Sequence, residues 1–226
     1  MIVLVAHGTR APEGARVVEE IAARVRKEAR MPVRVAYADV RGPDLTTVLD
    51  SVRGHRVVVV PAFLAAGYHV RTDIPRQIAA SGHPHVVLTR PFGPAPELVE
   101  VMRDRLEWAG YRPGDPVVLA AAGSSDPRAL AEVRSAAATL GRQLRTSVHV
   151  GYVATARPRI ADAVALARGR GRRVAVASWL LAPGLFQRRV ADSGAEVVAE
   201  PLGVHPGVVD LVLRRHHQAL RQTAAA

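Results

Sequence analysis

Leu4-Val5-Ala6-His7-Gly8-Thr9-Arg10-Ala11-Pro12 returns 115 residues later as Leu119-Ala120-Ala121-Ala122-Gly123-Ser124-Ser125-Asp126-Pro127. The same offset lays Val33-Arg34-Val35-Ala36-Tyr37 on Val148-His149-Val150-Gly151-Tyr152, and Pro43 on Pro158. Two residues are then inserted, and Leu64-Ala65-Ala66-Gly67 faces Leu181-Ala182-Pro183-Gly184. Near the end of each half, Pro91-Phe92-Gly93 matches Pro201-Leu202-Gly203. Matches that recur in one order argue for a tandem duplication.

Within each half, short apolar β-branched runs alternate with amphipathic stretches. The runs at 2–6, 33–38, 57–62 and 85–88 are bounded by Gly, Pro or charge, and they predict buried parallel strands. Helical periodicity lies near 13–29, 43–52, 70–80 and 94–109, with Pro43 and Pro94 suited to first helical turns. The second half predicts strands near 117–121, 148–153, 174–178 and 196–198. Strand–helix alternation means an α/β fold with right-handed crossovers. The expectation is two similar Rossmann-like domains, each a four-stranded parallel sheet flanked by helices. They are placed at residues 1–112 and 117–226, with Tyr111–Pro116 as the linker.

Of 226 residues, 49% are hydrophobic and 23% charged, a balance that argues against disorder. There are no cysteines, so thiolate metal sites, iron–sulfur clusters and cysteine nucleophiles are excluded. Any metal must be held by His, Asp, Glu or backbone oxygen. No apolar run approaches the ~18 residues of a membrane span. Met1–His7 lacks a basic n-region and reads as a strand, not a signal peptide, so a cytoplasmic protein is expected. The net charge of +11 comes almost wholly from arginine, Lys27 being the only lysine. A basic surface favours an anionic partner. With few aromatics and no DNA-binding motif, a small polyanion is favoured over nucleic acid.

In open α/β sheets, ligands bind beyond the carboxyl ends of the strands. His7 ends the first run and His69 follows the third. If those strands are neighbours, their axes lie about 5 Å apart and both imidazoles reach one ion. Neutral imidazole suits Fe²⁺, Co²⁺, Ni²⁺ or Zn²⁺. Taken singly, each histidine could instead cap a helix or fill a loop. The internal copy discriminates, because Ala122 stands opposite His7 and Phe186 opposite His69. Both histidines are missing together from a half that keeps the scaffold, which predicts one site, carried by the first half.

Val5-Ala6-His7-Gly8-Thr9-Arg10 and the longer Pro61-Ala62-Phe63-Leu64-Ala65-Ala66-Gly67-Tyr68-His69-Val70-Arg71-Thr72-Asp73-Ile74-Pro75 also resemble the sirohydrochlorin chelatases, in their two-domain, internally duplicated form. The resemblance covers nearly the whole chain. It implies insertion of Fe²⁺ or Co²⁺ into sirohydrochlorin, in siroheme or cobalamin biosynthesis, with no organic cofactor. His7 and His69 would bind the metal and act in catalysis, His7 as candidate proton acceptor. Leu64, Ala65, Ala66, Gly67, Tyr68 and His69 would line the tetrapyrrole pocket. The loop Asp39-Val40-Arg41-Gly42-Pro43 would form its other edge, Asp39 standing where the family often has glutamate. The carboxylate-rich substrate the family implies fits the basic charge and suggests Arg10, Arg41 and Arg71 as contacts.

A histidine phosphatase would need arginine where Ala6 precedes His7. No GxxxxGK loop indicates ATP use, and no G-x-G-x-x-G turn indicates a dinucleotide. The remaining alternative is a non-catalytic tetrapyrrole or metal carrier using the same cleft. The duplication supplies a second lobe, so a monomer suffices and a dimer is not forbidden. His216 and His217 are expected at the surface, and Trp108 and Trp179 in the core or an interface. His55, His83, His85, His149 and His205 are given no role.

Overall fold

The computed structural model describes residues 1–169 and 171–224. Ala225 and Ala226, the end of the expected second domain, lie outside the described residues. The chain runs β1 (Ile2–Ala6), α1 (Pro12–Ala29), β2 (Val33–Tyr37), α2 (Leu45–Asp50) and β3 (Val57–Pro61). A π-helical turn (His69–Asp73) leads into α3 (Ile74–Ser81), then β4 (Val86–Leu88) and α4 (Pro96–Trp108). The second half repeats this with β5 (Val117–Ala121), α5 (Pro127–Leu144), β6 (Val148–Tyr152), α6 (Ile160–Arg168), β7 (Ala175–Trp179), α7 (Leu185–Ala191), β8 (Val197–Val198) and α8 (Pro206–Ala224).

The strands form two four-stranded parallel sheets, ordered β2-β1-β3-β4 and β6-β5-β7-β8. This is the expected α/β architecture. The pairing also reproduces the two-residue insertion: Ile2 pairs with Val58, whereas its counterpart Val117 pairs with Ala175. Central β1 and β5 are buried along their whole length, as strands covered on both faces must be.

Alternate side chains of each sheet enter different cores. Ile2, Leu4 and Ala6 face a large core shared with Leu119, Ala121 and residues of α1, α4, α5 and α8. Val3 and Val5 face a separate core under α2 and α3. Val118 and Ala120 face a third, under α6 and α7. The molecule therefore has five layers, with four helices sandwiched between two sheets. The last helix of each half crosses over: α4 packs against β7, and α8 against β3. The crossings are fastened by polar contacts. Arg105 on α4 donates to the Leu202 carbonyl at 3.0 Å. Arg215 on α8 donates to the Pro91 carbonyl at 2.9 Å, and Arg214 pairs with Glu97 at 2.6 Å.

Local signals explain most element ends, and four expectations are corrected. Pro43 lies before α2, whose cap is Asp44, its Oδ1 accepting from the Thr47 N–H at 2.7 Å. Pro96, not Pro94, takes the first turn of α4. His216 is 3% exposed, because the crossed-over α8 is covered by the first half. Trp108 is 67% exposed at the end of α4, with Arg105 stacked 5.2 Å over its ring. Trp179 is in the core, as expected.

Because Phe92 is fully buried in the core shared by both halves, Phe92→Ala should cost about 3–5 kcal/mol. Urea unfolding followed by far-ultraviolet dichroism and by tryptophan fluorescence should move together, in one transition. Two separated transitions would show that the halves melt independently.

Candidate metal and substrate site

The carboxyl ends of β1, β2 and β3 meet at one point. The ladder between β1 and β2 continues past both strands, with the Ala38 N–H donating to Ala6 and the Asp39 N–H to His7. This holds Asp39 beside His7. On the other side of β1, the Ala62 N–H donates to Val5, which aims the chain after β3 toward the same edge. Gly8 then turns the chain away at φ +98°, and a Cβ there would sit 2.1 Å from the Asp39 carbonyl. Only glycine allows that approach.

His7, Asp39 and His69 each offer one ligand atom, and these atoms lie within 4.8 Å of one another. The two imidazole centroids are 4.7 Å apart with the rings nearly perpendicular. Phe63 lies 6.2 Å from His7 and 6.0 Å from His69, giving the cluster one apolar wall. Two imidazoles and a carboxylate within this span suit a first-row divalent ion. His7 and Asp39 are exposed and His69 is half-buried, so an ion held there stays open to a second ligand.

His69 is oriented from behind. It opens the π-helical turn, and its Nδ1 lies 3.0 Å from Asp73 Oδ2. Burial opposes the charged Asp73, but hydrogen bonds from His69 and Gln77 outweigh it and hold the carboxyl below its ordinary value. An ionised carboxylate only accepts, so His69 Nδ1–H donates to Asp73 and Nε2 is the ring atom left to face an ion. π-Turns of this kind recur at functional sites.

The other expected residues fall around this cluster. Arg10 is exposed just beyond His7, and Gly42 is exposed in the β2–α2 loop. Arg41 lies in that loop, its guanidinium carbon 5.0 Å from the Tyr37 ring centroid. Tyr68 is 59% exposed and 5.8 Å from His69. Leu64, Ala65 and Gly67 are half-buried and Ala66 is buried. Arg71 donates to the Ala66 carbonyl at 2.6 Å and pairs with Asp126 and Glu132, its side chain 35% exposed. Loops of the second half border the site, since Trp179 Nε1–H donates to the Leu64 carbonyl at 3.3 Å and Gly67 faces Ser124.

Sequence reading missed Asp73, although its i+4 spacing from His69 on a helix was a usable signal. It also left Phe63 and Glu132 without a role. Position 154, opposite Asp39 in the copy, is alanine, so the second half lacks all three donors.

The CbiX family model matches residues 1–109 and 116–219. A sirohydrochlorin ferrochelatase of Priestia megaterium is 24% identical over 231 residues, covering 93% of this chain and 87% of its own. A sirohydrochlorin cobaltochelatase of Methanothermobacter thermautotrophicus is 32% identical over 130 residues, covering 48% of this chain and 91% of its own. SirB of Bacillus subtilis, solved with Fe³⁺, shares the fold at a TM-score of 0.83 and 22% identity, covering 99% of this chain and 96% of that one. No described helix is long and apolar enough to cross a membrane.

Asp73→Asn replaces an obligate acceptor with a group that can donate, and frees the His69 tautomer. It should weaken Co²⁺ binding by about 10-fold or more, read by titration of the visible cobalt absorption. Gly8→Ala, which displaces the Asp39 backbone, should do the same. Unchanged affinity in both would mean that the ion is not held by this cluster.

Proposed function

Since the chain belongs to the CbiX family, the sirohydrochlorin chelatases, we propose that it inserts Fe²⁺ or Co²⁺ into sirohydrochlorin at the cluster of His7, Asp39 and His69. The observation that carries this is the convergence of three metal donors at the open edge of one sheet, and of none in its copy. Residues 1–112 would carry the site, and residues 117–226 would cover it.

The reaction exchanges two ring N–H protons for one divalent ion. The ion begins hydrated, so the protein must strip water from it without binding it too tightly to release. Two neutral imidazoles and one carboxylate neutralise only part of its charge. The ion stays labile and still attracts the ring nitrogens. Asp73 keeps His69 Nε2 aimed at the ion during the transfer. Exposed His7, once the ion has left it for the ring, is placed to take the two ring protons in turn and pass them to solvent, which is general-base work. Phe63 and Tyr68 offer aromatic surface beside the donors, against which a flat macrocycle can rest.

The substrate's carboxylates call for cations at the rim. Arg10 and Arg41 are exposed and flank the metal donors, and guanidinium meets carboxylate in a two-pronged geometry. Gly42, Leu64, Ala65, Ala66 and Gly67 complete the seat. No step calls for ATP or an organic cofactor. The protein would work in the cytoplasm on a small molecule, without nucleic acid or membrane, and one chain supplies both lobes. A carrier would use the same cleft, and turnover separates the two.

Anaerobic absorbance spectroscopy with sirohydrochlorin and Fe²⁺ or Co²⁺ should show multiple turnovers above the enzyme-free rate. His7→Ala and His69→Ala should each abolish them. Tight tetrapyrrole binding without acceleration would establish a carrier instead.

A further inference from the structure

Both polar backbone atoms of Ala66 are held by charged side chains, three residues before His69. Its N–H donates to Glu132 Oε2 on α5 at 2.6 Å, and its carbonyl accepts from Arg71 Nε at 2.6 Å. Arg71 in turn pairs with Glu132 at 3.3 Å and with Asp126 at 3.5 Å. Ala66 is buried, and the three charged side chains are largely covered. Two carboxylates of the second half thus grip the loop that delivers a metal donor in the first.

The internal copy shows that this grip is not part of the scaffold. Arg71 has a counterpart in Arg188, but every partner has changed. Val17 stands where Glu132 stands, and Ala11 where Asp126 does. Ala66 is matched by Pro183, which has no N–H to donate. Among the described residues, Arg188 pairs with Glu13 of the first half at 3.4 Å, with its side chain 62% exposed. The copy keeps an exposed ion pair between the halves but no charged grip on the loop backbone. Among the described residues that grip is found at the loop that ends in His69.

We infer that Glu132 is a positioning residue for His69, acting across the two halves through Ala66 and Arg71, with Asp126 in support. The second half, which lacks counterparts of the three donors, sets the geometry of one of them. Losing a group that orients a metal-binding histidine costs about 10–100-fold in metal affinity or activity, and the clamp acts one step further back, on the loop that carries His69. This deepens the chelatase reading, but its first test does not require that reading.

The test installs the copy's residue. Glu132→Val and Glu132→Gln would be titrated with Co²⁺ in the full-length protein, following the visible absorption of the bound ion. Glu132→Val should bind Co²⁺ about 10-fold more weakly or worse, with an altered band shape. Glu132→Gln keeps an acceptor for the Ala66 N–H and should restore most of the affinity. In turnover assays kcat should fall in Glu132→Val and recover in Glu132→Gln. A merely structural role would lower the melting temperature and leave the cobalt spectrum of the folded protein unchanged, and that result would overturn the inference. If Glu132→Val does not fold, Arg71→Met breaks the same clamp from the other side and must weaken Co²⁺ binding alike. A wild-type protein without turnover, in which Glu132→Val still weakens Co²⁺, would refute the chelatase reading and leave the clamp standing.

Discussion

The backbone ladder between β1 and its two neighbours governs the rest of the molecule. Parallel pairing brings three strand ends to one edge, and the ladder runs on past β1 and β2 to fix Asp39 against His7. No side chain in the site could compensate for a slip of that register. A one-residue shift would exchange the two buried faces of β1 and carry His7 out of register with Asp39. The hydrophobic alternation of β1 therefore does two jobs: it buries Ile2 and Leu4 in one core and Val3 and Val5 in another, and it fixes which way His7 points.

The fold was largely legible because the duplication supplied a second reading of every element. The four strands of each half and the two-residue insertion followed from aligning one half on the other, whereas strand order did not: the pairing of β1 with β3 entered only as a condition and came from the structure. The crossing of α4 and α8 was not legible. Amphipathic periodicity says that a helix has an apolar face, but not which sheet will cover it. The error at His216 comes from that one gap. A helix assigned to its own half exposes the wrong face.

In the site, the histidines were legible from their joint absence in the copy. Asp39 was placed on the pocket edge only by resemblance, because one carboxylate after a strand carries no periodic signal. Glu132 was invisible as a partner of Ala66, since backbone N–H groups leave no trace in a sequence. Yet the copy held the clue: a proline opposite Ala66 and a valine opposite Glu132 are a correlated loss. Reading the copy for missing hydrogen bonds, as well as missing ligands, would have found it.

The crossed helices also settle how this molecule can move. A hinge needs a seam that few contacts cross, and here the seam is filled by four helices belonging to both halves. The connection after α4 is tied down as well, with Arg173 donating to the Gly110 carbonyl at 2.5 Å and pairing with Asp115. A jaw-like closure of one sheet on the other would have to break that packing. In the chelation proposed above, misfit between ring and seat would then fall on the ring, where its nitrogens are.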